Sequence, residues 1–155
     1  MKLACLLATA SLLLALVPAA GAAQSAPYTE GSVWNMSFIR TKPGMRDVYL
    51  NNLRANWRRE LEEAKRQGLV RSYRVISAQA ATPGDWDLLL IAEYKSLAAL
   101  DSADAKFRAI DTKLFGTEQA QQAGVSKRAE VREILGDKQG RELILRDTTI
   151  TASRP

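Results

Sequence analysis

DWDLLLIAEYK, residues 85–95, carries an unbroken apolar run at 88–92. A Pro83-Gly84 turn precedes it, and Ser96, a ready helix cap, follows it. A short apolar run bounded in this way reads as a strand buried on both sides. A strand with one solvated face would alternate instead. Its side chains divide into Trp86, Leu88, Leu90, Ala92 and Tyr94 on one face and Leu89 and Ile91 on the other. A sheet built on this strand therefore needs cover twice.

Reading outward, residues 69–78 (LVRSYRVISA) form the strand before it, joined through the loop 79–84. Further back, residues 33–40 (VWNMSFIR) alternate, with Trp34, Met36 and Phe38 on one side and Val33, Asn35, Ser37 and Ile39 on the other. The turn Lys42-Pro43-Gly44 closes that strand. From 45 to 67 the apolar spacing changes to three or four, through Leu50, Leu53, Trp57, Leu61 and Ala64, and predicts one long helix. Its charged side offers Arg58 to Glu62, Arg59 to Glu63 and Glu62 to Arg66, each pair worth about 0.2–0.5 kcal/mol. Gly68 ends it in a left-handed conformation.

After the central strand, Ser96 caps a second helix with the stripe Leu100, Phe107, Ile110 and Leu114, ending near Gly116. Residues 117–136 predict one or two short helical pieces broken at Gly124, with Ser126 as a second cap. Residues 141–146 (RELILR) give a fourth strand, with Leu143 and Leu145 opposite Ile144. The order is strand, helix, strand, strand, helix, strand. It predicts an α+β protein of the ferredoxin-like βαββαβ type, a four-stranded antiparallel sheet with both helices on one face. Two helices cover one face only, and each large apolar side chain left in water would forfeit about 1.5–3 kcal/mol. Packing the open face against a second copy is the economical remedy, so a homodimer is expected. Cover from residues 117–136 or from the tail is the alternative.

The first strand ending in Arg40-Thr41-Lys42-Pro43-Gly44, the amphipathic helix, the Gly68-Leu69 return into a strand and the Asp87-to-Tyr94 strand together resemble the dimeric α/β-barrel superfamily. That group includes antibiotic-biosynthesis-type monooxygenases and NIPSNAP-like domains. The resemblance spans residues 33–145 and rests on structural motifs, since the Lys-Pro-Gly turn closes a strand and opens a helix without doing chemistry. It implies a dimer with packed sheets and a pocket between each sheet and its helices. Cofactor-free oxygenation, proposed for some members, needs a pocket for an electron-rich aromatic and polar groups for an enolate-like anion. Haem-degrading relatives hold iron through histidine, and this chain of 155 residues has none.

The N-terminus adds an address. Lys2, an apolar run over residues 3–17, Pro18 and Ala19-Ala20-Gly21-Ala22-Ala23 have the layout of a cleavable secretory signal at 1–23. The run falls short of the roughly 20 residues a membrane span requires, so no span is expected after cleavage near Ala22-Ala23. The expected organisation is then a polar lead at 24–31, a domain at 32–147 and a polar tail at 148–155, in a periplasmic or secreted protein. The only cysteine, Cys5, leaves with the signal, so no disulfide constrains the mature chain.

With neither cysteine nor histidine left, common zinc sites and His-based triads are excluded, and no metal or cofactor is expected. The net charge of +5 falls by one with Lys2 and is spread among acids, which argues against a nucleic-acid partner. Candidate ligand-binding residues are Asn35 and Trp57 together with Arg71 and Tyr73 in the second strand, polar or amphipathic residues in or near apolar segments. Trp86, between Asp85 and Asp87 at a strand entrance, is a candidate gate or oligomer contact. The expected ligand is small and apolar or aromatic. A non-catalytic binding or structural dimer is the first expectation; a cofactor-independent monooxygenase-like or lyase-like enzyme is the alternative.

Overall fold

In a computed structural model of the chain, residues 26–147 are described. The signal expected at 1–23 and the tail at 148–155 lie outside the described residues. The elements follow as β1 (Tyr28–Thr41), α1 (Arg46–Ala55), α2 (Trp57–Arg66), β2 (Ser72–Ser77), β3 (Leu88–Tyr94), α3 (Leu97–Asp101), α4 (Asp104–Phe115), α5 (Glu118–Val131) and β4 (Arg132–Leu145). The strands form one antiparallel sheet in the order β2-β3-β1-β4, which is the ferredoxin-like arrangement expected.

Several boundaries differ from the sequence reading for local reasons. β1 begins already at Tyr28, inside the segment read as a polar lead, because β4 continues far enough to pair with it, Tyr28 opposite Leu145. The long helix is two helices. Asn56, at φ −120° and ψ −75°, breaks it, and its side-chain Nδ2 donates to the Asn52 carbonyl at 3.1 Å. A short polar side chain that bonds its own backbone competes with the helical ladder. The helix then stops where expected, with Gly68 at φ +72°. The second helix is likewise divided, with Ser96 accepting from the Ala99 amide at the start of α3 as read.

The largest correction concerns 117–136. α5 runs through Gly124 without a break, capped by Thr117, and the chain enters β4 directly at Arg132. Glycine inside a helix costs about 1 kcal/mol relative to alanine, less than the bonds on either side of it return. The ion pairs also differ: Glu63 binds Arg66 three residues on, at 2.6 Å, and Lys113 of α4 at 3.5 Å. Glu62 accepts instead from the Tyr73 hydroxyl.

The sheet's two faces are unlike. Leu88, Leu90, Ala92 and Tyr94 of β3 are buried beneath the helices, and Val33 and Ile39 of β1 join them. The covered core falls into two clusters. One gathers Val33, Leu61, Ala64, Val70, Tyr94 and Ile110; the other gathers Ile39, Tyr49, Leu53, Leu88 and Leu90. Trp57 packs against both. Between them, on the same face of β1, stand the polar residues Asn35 and Ser37.

Among the described residues, no helix lies over the opposite face. There Trp34, Met36, Phe38, Leu89 and Ile91 are half-buried, and Ile76 is 42% exposed. Arg74 lies over the Trp34 ring at 5.9 Å and Lys138 over Phe38 at 5.5 Å. Gly140 and Gly136 of β4 pair with Trp34 and Phe38 in the sheet, and a side chain at 140 would press on the Met36 methyl at 3.0 Å. Trp86, read as belonging with Leu88, packs edge-on against Phe38 at 5.7 Å and so joins the open face.

Candidate functional site

The gap in the covered core is a cleft. Its larger part, about 610 Å³, lies between β1, α1, α2 and α5; a second part of about 540 Å³ continues along α4. Both are lined by Ser37, Trp57, Glu60, Leu90 and Asp111. These five residues therefore mark the centre of one space. Such a volume suits a small organic molecule, for which mostly apolar walls with a few placed polar groups are usual.

Local structure explains why polar groups collect here. Asn52, Asn56 and Glu60 are spaced by four and form a ladder along one side of α1 and α2. Glu60 stands one turn after Trp57. Asp111 occupies the α4 stripe between Phe107 and Leu114, where an apolar residue would be usual. From the sheet, Asn35 and Ser37 replace the apolar residues that flank them at Val33 and Ile39. Asn35 accepts from Gln139 of β4 at 3.4 Å, and Ser37 bonds Asp137.

The electrostatics are those of a dry, crowded site. Burial pushes the Glu60 carboxyl up to about 7, reinforced by the neighbouring Asp111 and opposed by Arg128. Burial raises Asp111 as well, again against Arg128. Tyr94 is raised by burial and then by Glu60 and Asp104, while Tyr49 is raised by burial against the pull of Arg132, whose guanidinium lies 5.6 Å over its ring. Among the described residues, Asn52 Oδ1, Asp111 Oδ1 and Arg132 Nε are buried without a hydrogen-bond partner. Buried polar atoms without a partner are costly to the fold.

Of the residues singled out from sequence, Asn35 and Trp57 come together in this cleft. Tyr73 backs onto Trp57, its ring at 5.4 Å and edge-on, without lining the space. Arg71 turns the other way, donating to Ser32 Oγ at 3.0 Å and lying 3.9 Å from Glu93. Trp86 is on the open face. The set Asn35, Arg71 and Tyr73 is thus not assembled around one cavity. Glu60 and Asp111 were missed, although acids on the apolar stripe of an amphipathic helix are a legible signal. Among the described residues, no group of three His, Cys, Asp or Glu side chains is placed to hold a metal ion, and no helix is long and apolar enough to cross a membrane.

The sheet order and its one-sided helices define a ferredoxin-like α+β protein. Several solved structures are similar to this chain. A dimeric ferredoxin-like protein from an uncultured marine organism is 14% identical, with 76% of this chain and 91% of that one covered at a TM-score of 0.49. A protein from Shewanella oneidensis is 11% identical, with 76% and 96% covered at 0.48. A NIPSNAP family protein from Agrobacterium tumefaciens, described as of unknown function, is 15% identical, with 77% and 93% covered at 0.44. No family model and no curated protein matches the sequence.

Proposed function

We propose that this protein is an exported homodimer, joined through the open faces of its sheets, in which each protomer holds a small apolar or aromatic ligand between sheet and helices. The cleft carries the reading. Trp57 and Leu90 supply apolar wall, and the ligand's polar atoms meet Asn35, Ser37, Asn52 and Asp111. The dimer is supported by the uncovered row Trp34, Met36, Phe38, Leu89 and Ile91, whose burial against its own copy removes apolar area from water. Export is supported by the layout of residues 1–23, with cleavage near Ala22-Ala23 into the periplasm or medium.

A native mass spectrum of the protein recovered from its own envelope tests these parts together. Two mature chains plus a retained small mass are expected. A ligand-free monomer beginning at Met1 would overturn the reading.

A further inference from the structure

The centre of the cleft is built for more than binding. Glu60 of α2 and Asp111 of α4 border the central space beside the indole of Trp57. Arg128 of α5 lines the part of the cleft against α1 and α5, and Asn35 of β1 the part along α4. We propose that Glu60 is a general base that takes a proton from an acidic carbon of an aromatic or carbonyl-bearing ligand, with Arg128 meeting the anion that forms. The inference rests on the cleft being the ligand site.

The chemistry closes without a co-reactant. The ligand's C–H bond breaks, its proton passes to a Glu60 oxygen, and the electron pair forms a carbon–carbon double bond as the adjacent carbonyl becomes an enolate. Return of the proton to another carbon of the conjugated system restores Glu60 and yields an isomer. No oxidant or reductant enters. Arg128 brings a full positive charge to the enolate oxygen, while Asn35, which spends its Oδ1 on Gln139, keeps its amide hydrogens for a polar group at the ligand's end along α4. Asp111, with a buried oxygen lacking any partner among the described residues, is the like-charged neighbour that keeps Glu60 from ionising too early.

A base poised near the working pH is the useful one, and the surroundings of Glu60 set where that is. From α4, Asp111, Asp104 and Arg108 face the cleft; from α5, Lys127 and Arg128; from β3 and α1, the un-ionised Tyr94 and Tyr49; from β4, Arg132. Arg128 acts on both Glu60 and Asp111, so the cation that meets the anion stands beside the base.

The test uses 5-nitrobenzisoxazole, an aromatic carbon acid. Loss of its C–H proton to a base breaks the N–O bond and releases a coloured nitrophenolate, the C–H electrons completing a nitrile. Turnover above buffer is expected, rising with pH to a plateau with a midpoint of about 7. Glu60→Gln should lower it by roughly 100-fold or more, with circular dichroism confirming the fold. Asp111→Asn should move the midpoint to lower pH, a readout that holds even if the Glu60 variant fails to fold. Binding of the unreactive 5-nitrobenzotriazole is followed in parallel by tryptophan fluorescence. Binding without turnover, turnover unchanged in Glu60→Gln, or an unmoved midpoint in Asp111→Asn overturns the base while leaving the ligand site standing. Failure of both binding and turnover overturns both.

Discussion

The two faces of the sheet are cut from the same strands and obey different rules. Beneath the helices, Val33, Ile39 and Leu88 are each 1% exposed, yet polar Asn35 and Ser37 stand between them. On the open face Trp34, Met36, Phe38, Leu89 and Ile91 run without a polar interruption in β1 and β3 until Glu93, but none is fully buried. The better-protected face is the one with the polar gap, and the exposed face is the one with the continuous apolar surface. A monomer under selection for stability alone would reverse that allocation. The covered face has surrendered packing to make a cleft, and the open face keeps an apolar surface suited to a second protein surface.

The contrast breaks most readily at the covered face. Leu88→Ala removes a side chain from a fully packed position and should cost about 2–5 kcal/mol, read as a lower urea midpoint. On the open face Ile91→Lys should leave the protomer's circular dichroism intact while halving the mass seen by light scattering. An unchanged mass would remove that face from the interface.

Glu60→Gln sharpens the comparison from within the cleft. The folded protein holds the Glu60 proton up to about pH 7, whereas the unfolded chain releases it near 4.5. Between those values the native state binds more protons, so this group's contribution to stability falls as pH rises through the window. The cost is fully present above about pH 7 and absent below 4.5. The glutamine variant should therefore gain on the order of 2–3 kcal/mol over the parent above pH 7 and converge with it at acid pH, in melting curves taken across the range. Glu63, held down at about 2 by its bonds to Arg66 and Gln67, has the opposite sign and is common to both proteins, so it cancels in the difference. The smallest effect belongs to Arg74→Ala. Its guanidinium over the exposed-side Trp34 is worth about 0.5–1 kcal/mol, and denaturant titration should show no more.

The strand and helix order was legible because DWDLLLIAEYK and VWNMSFIR carry their own period and the glycines at 44, 68 and 116 mark real reversals, all with positive φ. β4 was not legible over REILGDKQG, residues 132–140. It is an edge strand whose one face carries Asp137 and Gln139, bonded to Ser37 and Asn35, and whose other face carries Gly136, Lys138 and Gly140, so it lacks the apolar alternation that announces a strand. The site was half legible. Asn35 was visible as a polar exception in an apolar strand, and Trp57 as the large aromatic of its helix's apolar stripe. Glu60 and Asp111 were passed over: their places beside the apolar stripes could be read, but a helical acid is taken by default as solvent-facing, and only the tertiary arrangement brings α2 and α4 together over the same gap. Arg71 looked like a buried cation in a strand but sits just before β2, where Ser32 and Glu93 hold it.

Helix α5 closes one side of the cleft with Gln121, Gly124, Val125 and Arg128, yet none of its residues is fully buried. A wall fastened so lightly is the first part of the domain to detach, and its amide protons will trade with solvent far sooner than those of β1 and β3. On the ligand reading proposed above, an occupant that touches both Arg128 and Glu60 ties α5 to α2 and slows that exchange.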